Sequence, residues 1–193
     1  MKNIKQLFTY LVVGALVMAL SISCKSNEEP GTEGNGGPDS VPTFTGDPAT
    51  DLPTGYYSGT LSRKSYNISE GNKEEIEQSI PISGTFYLKI DNNILKWSDS
   101  SERDMEIEEG KQALKSGSEY GATILDEYEY NGEYEYKNTA KETVRFTISG
   151  DTISITYILG YSYVSSMSNY NYSYYATYEG TLTKYTPTTP SGS

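Results

Sequence analysis

Val144-Arg145-Phe146-Thr147-Ile148-Ser149-Gly150-Asp151-Thr152-Ile153-Ser154-Ile155-Thr156-Tyr157 is the stretch on which the fold turns. Val144, Phe146 and Ile148 alternate with Arg145, Thr147 and Ser149, the period of two of a strand with one buried face. Gly150-Asp151 supplies a two-residue turn, since glycine accepts a positive φ there. Ile153, Ile155 and Tyr157 then resume the alternation. This turn sets Ile148 opposite Ile153, Phe146 opposite Ile155 and Val144 opposite Tyr157. All six lie on one face, and a slip of one residue would turn a whole strand's apolar set to water.

The same period recurs outward from this hairpin. Phe86, Leu88 and Ile90 share a face with Leu95 and Trp97 across a turn at Asp91-Asn92-Asn93. Residues 124–136 form a third hairpin around Asn131-Gly132. A three-residue loop, residues 130–132, sets Tyr128 opposite Tyr134 and stacks Glu127 and Glu129 against Glu135 and Glu133. The last strand carries Tyr170, Tyr172, Tyr174, Ala176, Tyr178, Gly180 and Leu182 on one side. A six-residue loop, residues 164–169, brings that side against Ile153, Ile155, Tyr157, Leu159, Tyr161 and Tyr163. Tyr57-Ser58-Gly59-Thr60-Leu61 near the start matches Tyr178-Glu179-Gly180-Thr181-Leu182 near the end. The match suggests that first and last strands pair, with Gly59 and Gly180 permitting a sharp bend. Residues 101–115 are ambiguous between strand and helix. Ser101-x-x-Asp104 is a capping pattern, and at most one short helix is expected, near residues 111–115.

N-terminal to this domain, residues 25–54 contain five Gly and five Pro, with Val41, Phe44 and Leu52 as the only large apolar side chains. Such a segment has little surface to bury against its ordering entropy and reads as a disordered tether. Residues 187–193 read as a disordered tail. Lys2 and Lys5 precede an apolar run from Leu7 to Leu20, and Ser21-Ile22-Ser23-Cys24 follows, the pattern of an export signal. The run is shorter than the ~20 residues of a spanning helix. Without residues 1–23 the chain has 26 acids against 13 bases, a formal charge of −13. That surface repels phosphate backbones and anionic lipid, which argues against nucleic acid as a partner.

The chemistry that is missing narrows the function. Without His there is no Ser-His-Asp or Cys-His arrangement, and with one Cys there is no zinc cage or internal disulfide. Carboxylates are plentiful, but no pair is marked by spacing, and no Gly-rich loop leads into a helix with a phosphate-binding Lys. We expect no catalytic residues, no metal site and no cofactor. The lopsided usage is tyrosine, 18 residues beyond position 23 against one Trp. Tyr157, Tyr161, Tyr163, Tyr170, Tyr172 and Tyr174 share the inward face at and toward one end of the last hairpin, and Ile153, Ile155 and Leu182 lie toward the other. Tyrosine offers an apolar ring and a hydroxyl, suited to sugars and amphipathic ligands. The same rings would also fill strands that outrun an aliphatic core.

Two resemblances follow from these residues. Ser21-Ile22-Ser23-Cys24 resembles the lipobox of bacterial lipoproteins, with Ser21 where Leu is usual. It implies a signal peptide over 1–23, lipid on Cys24 and a place in the bacterial cell envelope, at the outer membrane or cell surface. Gly55-Tyr56-Tyr57, the meander of hairpins and the closing Gly180-Thr181-Leu182-Thr183-Lys184 resemble small lipocalin-like lipoproteins, with Tyr57 where lipocalins place Trp. Over residues 55–186 this implies an all-β, mostly antiparallel up-and-down meander closed into a barrel; a β-sandwich is the alternative reading of the same strands. It also implies a mouth that binds a small amphipathic molecule or glycan without catalysis. The other function compatible with the sequence is a surface protein or adhesin that binds a protein partner through its exterior.

Overall fold

The computed structural model describes residues 36–107, 109–132, 135–166 and 171–187. The signal segment, Cys24, Tyr170 and residues 188–193 lie outside the described residues. The strands are β1 (Asp47–Pro48), β2 (Gly55–Glu70), β3 (Ser83–Asp91), β4 (Ile94–Ser98), β5 (Lys111–Gln112) and β6 (Leu114–Ser116). Then come β7 (Glu119–Tyr130), β8 (Tyr136–Ser149), β9 (Thr152–Ser165) and β10 (Tyr172–Tyr185). All belong to one antiparallel sheet in the order β1-β6-β7-β8-β9-β10-β2-β3-β4-β5. The described residues are therefore mostly β, and one antiparallel sheet accounts for every strand among them.

The hairpin of residues 144–157 forms in the expected register, with Val144, Phe146 and Ile148 opposite Tyr157, Ile155 and Ile153. Gly150 turns with φ 61°. Val144, Phe146, Ile153 and Ile155 are buried, while Arg145 is exposed. The β3–β4 hairpin also matches, with Ile90 opposite Leu95 and Leu88 opposite Trp97. Its turn residues Asn92 and Asn93 take positive φ, which a two-residue hairpin of this hand requires. The first and last long strands, β2 and β10, pair as well, Gly180 meeting Leu61. A β-carbon on Gly180 would stand 2.4 Å from the Thr60 carbonyl oxygen, so this crossing admits no larger residue.

Two loops are longer than expected. Tyr172, rather than Tyr170, stands opposite Tyr163. The shift is two residues, so every side chain keeps its face. Between β7 and β8 the three-residue loop is replaced by a longer one, with Tyr130 opposite Tyr136 and Glu129 opposite Lys137. The electrostatic reason is direct. The expected register opposed four acids in pairs, whereas the observed one brings Lys137 Nζ to 2.8 Å from Glu127 Oε1.

Among the described residues α-helix occurs in two short segments, one more than the sequence reading allowed and neither at residues 111–115, where it was expected. Helix α1 (Lys73–Ser79) follows β2, and the Asn72 side chain accepts from Glu74 N at its start. Helix α2 (Glu102–Ile107) follows β4, and Ser101 Oγ accepts from Asp104 N at 3.1 Å at its start. Residues 111–112 and 114–116 are strands. They pair with β4 at Lys111 and with β7 from Leu114, and Ala113 between them is fully buried.

The larger correction concerns the tether. Residues 36–54 are not loose but lie across the outer face of the sheet as a strap. Gly36 O accepts from Ser69 Oγ on β2 and Ser173 Oγ on β10. A 3₁₀ turn, Pro38–Ser40, and Val41 follow, and Val41 is 1% exposed. Pro42 O accepts from Thr143 Oγ1 on β8, and Phe44 N donates to Thr123 Oγ1 on β7. β1 then pairs with β6, and Leu52 N donates to Asn93 Oδ1. The sheet is notched to receive this segment. A β-carbon on Gly160 would come within 2.6 Å of both Gly37 O and Val41 Cγ2, and one on Gly121 within 2.7 Å of the Phe44 ring. Few apolar residues suffice because the surface beneath them is already shaped.

The inner face carries the core. Phe86 on β3 lies 4.9 Å, ring to ring, from Tyr157 on β9, and Trp97 Nε1 on β4 donates to Glu142 Oε2 on β8 at 2.8 Å. These strands are far apart in the pairing order, so the sheet is strongly curved and its concave face is filled by its own side chains.

Candidate functional site: a tyrosine stack at one end of the sheet

Beyond the aliphatic half of the core, β7 to β10 extend together, and the residues of their concave face are mostly tyrosine. Register places Tyr174 opposite Tyr161, Tyr172 opposite Tyr163 and Tyr130 opposite Tyr136. The rings continue from strand to strand. Tyr174 and Tyr161 have centroids 5.8 Å apart, Tyr161 and Tyr172 5.6 Å, and Tyr172 and Tyr163 5.5 Å. Tyr163 meets Tyr136 at 5.7 Å, and Tyr136 meets Tyr130 at 5.3 Å. Most of these pairs are offset and close to parallel, an arrangement that aromatic quadrupoles favour over direct superposition. Exposure rises along the stack. Tyr174 and Tyr161 are buried, Tyr172, Tyr163 and Tyr136 are half-buried, and Tyr130 is 44% exposed.

Helix α1 borders this end. Tyr66 on β2 donates its hydroxyl to Glu77 Oε1 at 2.6 Å, and Arg63 Nη1 reaches Ile80 O at 2.8 Å. Arg63 also lies over the Tyr66 ring, 4.3 Å from its centroid. Ile76 and Ile80 are buried against the same core.

The sequence-derived residues separate on this geometry. Tyr161, Tyr163, Tyr172 and Tyr174 are brought together. Tyr157 is not part of the stack but packs between Phe86 and Tyr178. Tyr157, Tyr161 and Tyr174 are core residues, against the expectation that all six line an open mouth. Hydroxyl chemistry permits this because Tyr161 donates to Asn138 Oδ1 at 2.9 Å. Burial raises the Tyr157, Tyr161 and Tyr174 hydroxyls far above the usual phenol range and pushes Tyr178 up to about 12. All are neutral hydrogen-bonding groups at ordinary pH. Tyr170 and Cys24 lie outside the described residues.

Tyr130, Tyr136 and Asn138 were missed as site residues. The first two were hidden by the misread β7–β8 loop. Asn138 was legible by parity, since Asn138, Ala140, Glu142 and Val144 occupy alternate positions of β8. Asn138 is 2% exposed, and its Nδ2 has no acceptor among the described residues. A buried amide without a partner costs about 1–3 kcal/mol. It stands opposite Tyr163 and Tyr128 in the sheet and holds Tyr161 by its other end.

One hollow lies on the convex face. It is a shallow trough of about 430 Å³ between β2, β10, β9 and β8, bordered by Lys64, Arg145, Thr156 and Glu179. Among the described residues, no three Asp, Glu, His or Cys side chains converge as metal ligands would, and no helix is long and apolar enough to cross a membrane. No protein-family model matches the chain, and no curated protein or solved structure is significantly similar to it.

Proposed function

We propose that the chain is an envelope lipoprotein, anchored through Cys24, whose tyrosine end binds a small amphipathic molecule or a glycan without catalysis. The observation that carries the reading is the unpartnered Asn138 amide beside half-buried Tyr163, Tyr172 and Tyr136. A ligand hydroxyl or carbonyl would accept from Nδ2, while the rings offer flat apolar faces to a sugar or a hydrocarbon. Closure of the sheet into a lipocalin-like barrel belongs to the same proposal. Its support is the pairing of β2 with β10 and the position of Ala113, whose N donates to Asn93 O and whose O accepts from Ala49 N, both at 2.8 Å. Residues 111–116 would thereby serve as one strand shared between β4 and β7. Lipidation rests on Ser21-Ile22-Ser23-Cys24 at the end of the apolar run.

The test is native mass spectrometry of the protein purified, without denaturation, from its own host. A bound small molecule is expected on the wild type and is expected to be lost in Tyr163→Ser/Tyr172→Ser. An empty wild type, or an adduct retained by that variant, would overturn the reading. The convex trough favours a second reading, in which a protein partner docks on the exterior. In that case Arg145→Glu with Glu179→Lys would abolish partner binding, and the tyrosine variant would not.

A further inference from the structure

The strap determines where the chain leaves the sheet. Gly36, the first described residue, is held by Ser69 near the end of β2 and by Ser173 near the start of β10. Ser173 adjoins Tyr172, so the chain departs beside the tyrosine stack and not beside the opposite turn at Gly150. Only eleven residues separate Gly36 from Cys24. Even fully extended they reach about 40 Å, at roughly 3.3–3.6 Å per residue. From Ser69 to the far end of β2 at Gly55 is about 45 Å along the strand, at ~3.3 Å per residue. A lipid on Cys24 therefore reaches a bilayer easily beside the tyrosine end and only at full stretch beside the other. Tyr130 and Val164, two of the four exposed large apolar side chains among the described residues, stand at this near end.

We infer that the strap orients the domain so that its tyrosine end faces the lipid surface to which Cys24 is tied. The inference rests on the lipid-anchor reading above and deepens it. A site presented in this way meets amphiphiles of the membrane before solutes of the bulk.

The test uses the full chain, matured in a lipoprotein-processing host, in phosphatidylcholine vesicles carrying an acceptor-labelled lipid. Donor dyes are placed on Val164→Cys and, separately, on Asp151→Cys, the acylated Cys24 thiol being blocked. Energy transfer from position 164 is expected to exceed that from position 151 several-fold. Insertion of thirty Gly and Ser residues between Asn35 and Gly36 is expected to reduce that difference. Equal transfer from the two positions, or greater transfer from 151, would overturn the orientation. A wild-type chain that stays in the aqueous phase of a detergent partition would instead show that the anchor reading had failed, and the orientation would fall with it.

Discussion

Phe146 and Arg145 are chain neighbours with opposite fates. Phe146 is 2% exposed opposite Ile155, and Arg145 faces water. Phe146→Ala is expected to cost about 3–5 kcal/mol in denaturant unfolding, and Arg145→Ala under about 0.5 kcal/mol. Similar costs would contradict the register. This much was readable from alternation, because burial on one face of a strand needs only local periodicity. Asn138 was harder to read, since an amide on a core face acquires meaning only from the residues opposite it. Asn138→Leu alone removes the acceptor of Tyr161. The pair Asn138→Leu/Tyr161→Phe removes both polar ends, a change that is near neutral or stabilising when shape is kept. We expect the double variant to melt at or above the wild-type temperature and to lose its bound molecule. A double variant that keeps the molecule would make the amide a packing residue only.

At the scale of elements, the strap distinguishes local from non-local information. Its own composition predicts disorder, and physically that reasoning holds for the segment in isolation. What orders it lies elsewhere in the chain, in Gly121, Thr123, Thr143 and Gly160, none of which announces a binding groove by itself. Gly160→Val is expected to displace Val41 and lower stability by about 1–3 kcal/mol, as overpacking does. Limited proteolysis should then cut within residues 36–48. Gly84→Val is the control, because a β-carbon there meets nothing within 4 Å. If both variants resist cleavage equally, the strap is not held by the Gly160 notch. The β7–β8 loop was misread for a related reason. Patterning of Tyr and Glu fits two registers, and only the charge of Lys137 separates them.

The molecule as a whole stores a set of neutral phenols in its concave face. Tyr178 titrates at about 12 in the folded protein because burial penalises its anion, and Tyr157, Tyr161 and Tyr174 are raised for the same reason. Unfolded tyrosine titrates near 10. A raised folded-state value means that the stabilising contribution is whole below pH 10 and is lost as pH rises through about 12 for Tyr178. We expect the melting temperature to be flat in this respect up to about pH 10 and to fall steeply above it. Phenolate absorbance from the buried group should appear together with unfolding. Full titration near pH 10 with the circular dichroism unchanged would place those hydroxyls in water. The all-β class and several inner-face registers were legible because every strand repeats one pattern. Curvature was not, since it depends on contacts such as Trp97 with Glu142 that no local pattern encodes.

The pairing of β2 with β10 also bears on the order of events in folding. Leu61 and Gly180 are neighbours in the sheet but roughly 120 residues apart in the chain, and loop closure of that size is entropically unfavourable and slow. The hairpins β8–β9 and β3–β4 have short turns and can form early. The first long strand must wait for the last. During that interval two long edges, one on β2 and one on β10 or β9, carry unpaired amides and carbonyls, the arrangement that recruits strands from other chains. A chain truncated before residue 172 would be trapped in that state, so aggregation during synthesis, rather than loss of a folded product, is the failure to which this topology is most exposed.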